Sequence, residues 1–321
     1  MALVKDIPKL LIDSHFSSVE EFMLKLALWD IEFIQLDPGV VNAKVFQLGL
    51  GDVMIGRYSF DRKFHQLGAS PKGVRTFGLV NPPGVSWCGR MADENSILLF
   101  PTSGDYESLS DPGFSAVTIS ISEHRLNTVS ESIGLPPIEE IFGRGEEVIC
   151  CEHGLVQMLR RSIDSICNTV SGAPTLLGRP SLYSELNHEL PVQLLTAISV
   201  GRELPMTTTK RRMDAMHKAM VFMEVSKGDV SIEDVSRVSG VSWRTLDYSF
   251  QEHIGLSPKQ YLEAFRLNRA HQELYQSSAR VKISDVANNW GYWHMGRFAG
   301  NYKRFFGELP SETVIRRNHN E

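Results

Sequence analysis

Apolar and polar positions change rhythm three times along this chain. After a helical stretch around residues 18–27, residues 31–122 hold short apolar runs, at Val45 to Leu48, Val53 to Phe60, Val74 to Val80 and Ile97 to Phe100. The alternation Val117-Thr118-Ile119-Ser120-Ile121 is that of a half-buried strand. Turn-forming groups separate these runs at Asn81-Pro82-Pro83-Gly84, Pro101-Thr102-Ser103-Gly104 and Asp111-Pro112-Gly113, a spacing that predicts a sandwich or jelly-roll barrel. From about Glu147 the period becomes helical, with Val156, Leu159, Ile163 and Ile166 on one face and a second helix between Pro191 and Val200. The segment 202–209 has no apolar period. The pattern therefore predicts an all-β domain over 1–146, a helical segment over 147–201, a linker over 202–211 and an all-α domain over 212–317.

The all-α region repeats itself. Ile232 and Ile283, Val235 and Val286, and Gly240 and Gly291 are each 51 residues apart, whereas Gly255 and Gly307, and Pro258 and Pro310, are 52 apart, so one residue is inserted after the turn glycine. In each copy a small residue (Ser236, Ala287) precedes that glycine by four. The small residue lets two helices approach, and the glycine can adopt the left-handed conformation of a tight interhelical turn. Apolar pairs four apart, Leu246 with Phe250 and Phe298 with Tyr302, pin one face of the following helix and leave the other exposed. Ser231 with Asp234, and Ser257 with Gln260, mark helix starts. The helix opening at Pro258 and running to about Leu274 can hold the two modules at a fixed separation.

Charge separates the same regions. Residues 210–321 carry 17 Lys and Arg against 13 Asp and Glu, net +4, while residues 1–209 carry 16 against 25, net −9. A basic C-terminal third fits a nucleic-acid partner. No run of eighteen uncharged apolar residues and no secretory pattern occur, so a cytoplasmic protein without a membrane partner is expected. The four cysteines, Cys88, Cys150, Cys151 and Cys167, lack C-x-x-C spacing and fit a reducing compartment.

Residues 212–317 resemble the AraC/XylS family of bacterial transcription regulators. The resemblance is carried by Val286-Ala287-Asn288-Asn289-Trp290-Gly291-Tyr292-Trp293-His294-Met295-Gly296-Arg297-Phe298, by the closing Phe306-Gly307-Glu308-Leu309-Pro310-Ser311-Glu312, and by Gly255-Leu256-Ser257-Pro258 at the end of the first module. It implies a double helix-turn-helix domain bound to promoter DNA. It further implies a cupin-like N-terminal barrel that senses an effector, a helical segment that makes a homodimer, and RNA polymerase as a partner. Within the family the chain is similar to the ethanolamine-operon regulators.

The positions matching the family's base-contacting surface are Trp243, Arg244, Asp247 and Tyr248 in the first module, and His294, Gly296, Arg297 and Gly300 in the second. Arg244 and Arg297 can each fork to a guanine edge, worth about 1–3 kcal/mol of discrimination; Asp247 can accept from a cytosine amino group and Tyr248 can pack on a thymine methyl. Asp247 and Tyr248 depart from the Gln and Arg frequent in the family, and Gly296 and Gly300 offer no side chain to a base. Arg280, Lys282, Lys303 and Arg304 are expected at phosphates. Arg57, Tyr58, His65, Arg75, Phe77 and Trp87, polar and aromatic groups of a barrel, are the candidates for an effector pocket.

Two rival readings follow. Glycines at two contact positions suggest an effector-binding or interaction protein whose DNA-binding domain grips phosphates without reading sequence. Some proteins with this module repair alkylated DNA through a nucleophilic cysteine and a four-cysteine zinc site, but Cys88 is the lone cysteine of the strand-rich region and no Pro-Cys-His-Arg is present. The barrel also lacks the His-x-His of metal-binding cupins, so no metal, no cofactor and no enzyme activity are expected. The run from Gly49 to Gly56 fits a hairpin turn better than a phosphate loop.

Overall fold

The computed structural model describes residues 7–26, 28–102, 105–142, 147–203, 210–226, 230–276 and 281–320. They divide into two compact units, one built from Met1–Glu32, Asn42–Asp61 and Gln66–Pro205, the other from Phe33–Val41, Arg62–His65 and Met206–Glu321.

The N-terminal region is all-β with antiparallel sheets, to which helices are added. Its strands are β1 (Leu10–Phe16), β2 (Asp30–Gln35), β3 (Ala43–Leu50), β4 (Val53–Phe60), β5 (Phe64–Ala69), β6 (Val74–Val80), β7 (Val85–Trp87), β8 (Arg90–Ala92), β9 (Ser96–Leu99), β10 (Tyr106–Ser110), β11 (Ser115–Ser122), β12 (Glu147–Cys150) and β13 (Arg202–Glu203). One sheet has the order β1-β3-β4-β11-β6-β9-β12-β13 and the other β2-β5-β10-β7-β8. The Gly49–Gly56 run is the β3–β4 hairpin, with Gly51 at φ +68°. Among the helices, α1 (Val19–Lys25) starts at the Ser18 cap, α2 (Glu123–Ser132) at the Ser122 cap, and α3 (Ile138–Ile141) is a single turn. Three more α-helices follow, α4 (His153–Gly172), α5 (Pro180–Ser184) and α6 (Leu190–Ser199), with a 3-10 helix at Pro174–Gly178 and a π-helical turn at Glu185–Glu189 joining α5 to α6.

The strand period of two decides where the core lies. On one face of the larger sheet, Leu48, Ile55, Ile119 and Phe77 stand opposite one another in register and are at most 1% exposed. That face packs on the apolar stripe of α4, namely Val156, Leu159, Ile163, Ile166 and Val170, and on Leu190, Leu194 and Leu195 of α6. Truncating one of these to Ala would cost about 2–5 kcal/mol. The other strong cluster is aromatic: Trp87 stacks on Tyr106 at 4.8 Å between ring centroids and lies 4.4 Å from Phe100.

The C-terminal region is helical: α7 (Lys210–Val225), α8 (Ile232–Ser239), α9 (Trp243–His253), α10 (Pro258–Gln276), α11 (Ile283–Asn289), α12 (Met295–Phe306) and α13 (Pro310–Asn320). Helix α7 begins two residues before the boundary expected from the sequence, and β13 occupies the start of the expected linker; residues 204–209 lie outside the described part. Helix α10 is the central element, burying Tyr261, Leu262, Phe265, Leu267 and Leu274. No helix among the described residues is long and apolar enough to cross a membrane.

Candidate nucleic-acid interface

Both halves of the repeat fold as helix, glycine turn, helix. Gly240 ends α8 at φ +68° and Gly291 follows α11 at φ +80°, the left-handed backbone that a side chain resists. The small residue of each copy is in place: Ala287 is fully buried, and the Ser236 hydroxyl donates to the carbonyl of Val241 across the turn at 3.0 Å. Ser231 caps α8 through the Asp234 amide at 3.1 Å, and Ser242 caps α9 through the Thr245 amide at 3.3 Å. At α10 the capping box is reciprocal: Gln260 N–H donates to Ser257 Oγ, and Ser257 N–H donates to Gln260 Oε1 at 2.8 Å. Ser231 and Arg237 both bond the Asp234 carboxylate, which is held below its usual range, chiefly by the Ser231 hydroxyl.

Each second helix is pinned from behind. Leu246 and Phe250 of α9 are fully buried, and Phe298 and Tyr302 of α12 are at most 1% exposed. The opposite face is open. Arg244 and Tyr248 are exposed and Trp243 and Asp247 half-buried on α9; His294, Arg297, Lys303 and Arg304 are exposed at and along α12, and Lys282 at the start of α11. An added Cβ at Gly296 or Gly300 would meet nothing within 4 Å, so these two glycines leave a bare strip of backbone on the outer face of α12. Arg280 lies outside the described residues.

Two surface aromatics differ in their surroundings. Tyr248 is 54% exposed yet has the Arg212 guanidinium 5.0 Å above its ring, with Arg212 also bonded to Glu252 at 3.3 Å. Trp293 is 72% exposed in the turn immediately before α12. Trp293 is not among the contact positions read from the sequence; its place two residues after the turn glycine and next to His294 puts it with the exposed group. Trp290, one residue before the glycine, is the indole that packs, donating to Glu273 Oε2 at 2.7 Å.

The candidate effector residues occupy separate surroundings. Arg57 and Tyr58 line an open cavity beside α4. Within the second unit His65 is buried, with Nδ1 2.9 Å from the Tyr261 hydroxyl. Arg75 pairs with Glu123 at 3.2 Å, Phe77 packs edge-on against Phe142, and Trp87 belongs to the aromatic cluster, where its indole nitrogen is buried without a partner. No group of three or more His, Cys, Asp and Glu side chains among the described residues is placed to hold a metal ion.

Residues 235–316 match the family model described as "Helix-turn-helix domain". Among curated proteins, the chain is similar to a probable thc operon regulatory protein of Rhodococcus erythropolis, 38% identical over 86 residues, covering 26% of each protein. It is also similar to a XylDLEGF operon transcriptional activator of Pseudomonas putida, 34% identical over 105 residues and covering 32% of each. The chain thus spans about a third or less of the length of these curated relatives. Among solved structures, a transcriptional regulator with an AraC-type DNA-binding domain from Chromobacterium violaceum is 29% identical, covering 33% of this chain and 95% of that one at a TM-score of 0.31.

Proposed function

Residues 235–316 match a helix-turn-helix domain, and on that premise we propose that the protein is a sequence-specific DNA-binding regulator of transcription of the AraC/XylS type. The observation that carries the reading is the repeated geometry: two left-handed glycine turns, each followed by a helix whose apolar pair is buried and whose outer face is free. In this reading α9 and α12 enter successive major grooves, about 34 Å apart along one face of the duplex, and one chain reads an asymmetric site. Arg244 and Arg297 read guanine edges; Trp243, Asp247, Tyr248 and His294 complete the base-facing set, and Lys282, Lys303 and Arg304 grip phosphates. The N-terminal domain responds to an effector or a partner, two chains pair through the helices after the barrel, and the complex recruits RNA polymerase in the cytoplasm.

The test is selection of random duplexes by the purified full chain near physiological salt. One asymmetric motif with two blocks about 10 base pairs apart is the expected product. Recovery without sequence preference, vanishing as salt rises, would replace this reading with the rival one, which the bare backbone at Gly296 and Gly300 favours.

A further inference from the structure

The face of the larger sheet that packs on α4 is apolar in its central rows, mixed in the next and polar in the last. Register places Asp13, Phe46, Arg57 and Val117 side by side in one row. The next row runs His15, Lys44, Ser59 and Ser115. Alternation assigns these positions to the packed face, where a structural interface alone would hold aliphatic residues. Helix α4 changes in step. Alongside its apolar stripe, Arg160, Asp164, Asn168 and Ser171 follow one another at helical spacing, and they face the same two rows across a cavity of about 430 Å³.

The charges in this cavity are poorly matched by the protein itself. Arg57 reaches Asp164 at 3.5 Å and Asn168 at 3.4 Å, long contacts between side chains that are 38% and 56% exposed for the ion pair. An exposed pair of that kind adds almost nothing to stability, so folding does not account for it. Among the described residues Lys44 has no hydrogen-bond or ion-pair partner. Arg160 donates to Asn81 and to the carbonyls of Val80 and Glu94, forms no ion pair within 4 Å among the described residues although the charges of Asp164 and Glu94 act on it, and its Nε is buried without a hydrogen-bond partner. Three cations thus stand against the two carboxylates Asp13 and Asp164, and Asp13 already accepts from Ser171 at 3.1 Å.

From this juxtaposition we infer that the cavity is a binding site for a small hydroxycarboxylic acid, its carboxylate held by Arg57 and Lys44 and its hydroxyls by Asp13 and the serine row. The volume suits a ligand of this class, and an apolar one would strand the lining donors and acceptors. The inference depends on the proposed function for its regulatory consequence, not for the binding itself.

Calorimetric titration of the full chain with L-malate, citrate and D-gluconate, and with D-glucose as the uncharged counterpart, tests it. At least one acid is expected to bind saturably and glucose not at all. Arg57→Gln should weaken that acid by about tenfold or more. Asp164→Asn, which releases Arg57, should tighten it, a change of sign that a damaged fold cannot produce. Absence of saturable binding by all three acids at millimolar concentration overturns the site, as does undiminished binding by an Arg57→Gln protein that unfolds at the parental temperature. Titration of the same preparations with labelled duplex separates the two readings, because acid binding in a chain that ignores DNA sequence keeps the site and removes only the regulator.

Discussion

The hydroxyl of Tyr302 lies 2.5 Å from Nδ1 of His271, and both side chains are buried. The same hydroxyl is 2.7 Å from Thr313 Oγ1, so one oxygen joins α12 to α10 and α13 directly behind the exposed face of the second module. Thr313 keeps other acceptors, Glu308 Oε1 at 2.6 Å among them. Tyr302→Phe therefore removes one shared hydroxyl without opening a cavity. A loss of about 1–3 kcal/mol in urea unfolding is expected, because buried polar groups lose a partner. No exposed residue of α12 is altered, so any fall in DNA affinity beyond that expected from the unfolded fraction would show that the orientation of α12 depends on this bond.

Two glycines with equally open surroundings should respond to alanine with opposite signs. An added Cβ meets nothing within 4 Å at either Gly240 or Gly300. Gly300 lies inside α12, where alanine should stabilise by about 0.5–1 kcal/mol. Gly240 sits at φ +68°, where alanine should destabilise by about 1 kcal/mol or more. If the backbone of α12 approaches DNA at Gly300, the stabilised Gly300→Ala protein should bind its duplex more weakly. Unfolding curves and fluorescence anisotropy on the same variants separate the two effects, and tighter DNA binding by Gly300→Ala would contradict the close approach.

Most of the C-terminal domain was legible because its information is local. A capping serine, a small residue four before a glycine and an apolar pair four apart fix each turn through contacts within a few residues, and the pattern occurs twice. The sheet was legible only as a series of strands. Strand β1 went unread, since LLIDSHF shows an apolar triplet and then polar residues, and it becomes a strand by pairing along its whole length with β3. The candidate pocket residues show the same limit. Which neighbours a strand residue meets depends on register and on the element laid over the sheet, so Arg75 met Glu123 and Phe77 met Phe142, groups about 50 and 65 residues away in sequence. The polar positions opposite α4 were hidden for this reason too, because Asp13, Arg57 and Asp164 share a cavity only once three distant segments are in place.

Thiol reactivity should divide the four cysteines into pairs. Burial pushes Cys151 and Cys167 up to about 12, whereas Cys88 and Cys150 are half-buried. A thiol-specific disulfide reagent at neutral pH should label at most Cys88 and Cys150 in the native protein, and all four after unfolding. The sign of the linkage is set by the raised folded-state values. The buried neutral thiols favour the fold below the ordinary thiol value of 9.0, and that contribution is lost as pH rises from there towards about 12. Rapid native labelling of Cys167 would contradict its packing against the sheet.

Salt dependence should distinguish the two kinds of cation on α12. Lys303 and Arg297 are both exposed on this helix, six residues apart, so neither substitution disturbs the buried Phe298 and Tyr302. A lysine at a phosphate contributes through counterion release. Lys303→Gln is therefore expected to weaken binding about equally on every duplex and to lower the slope of log K against log salt by about 1. Arginine at a guanine edge contributes through geometry. Arg297→Ala should cost about 1–3 kcal/mol on the preferred duplex and much less on one changed at the contacted base pair. Anisotropy titrations of both variants on both duplexes across a salt series provide the comparison. Equal losses on the two duplexes for Arg297→Ala would move it to the phosphate-gripping group and leave α9, through Arg244, as the helix that reads sequence.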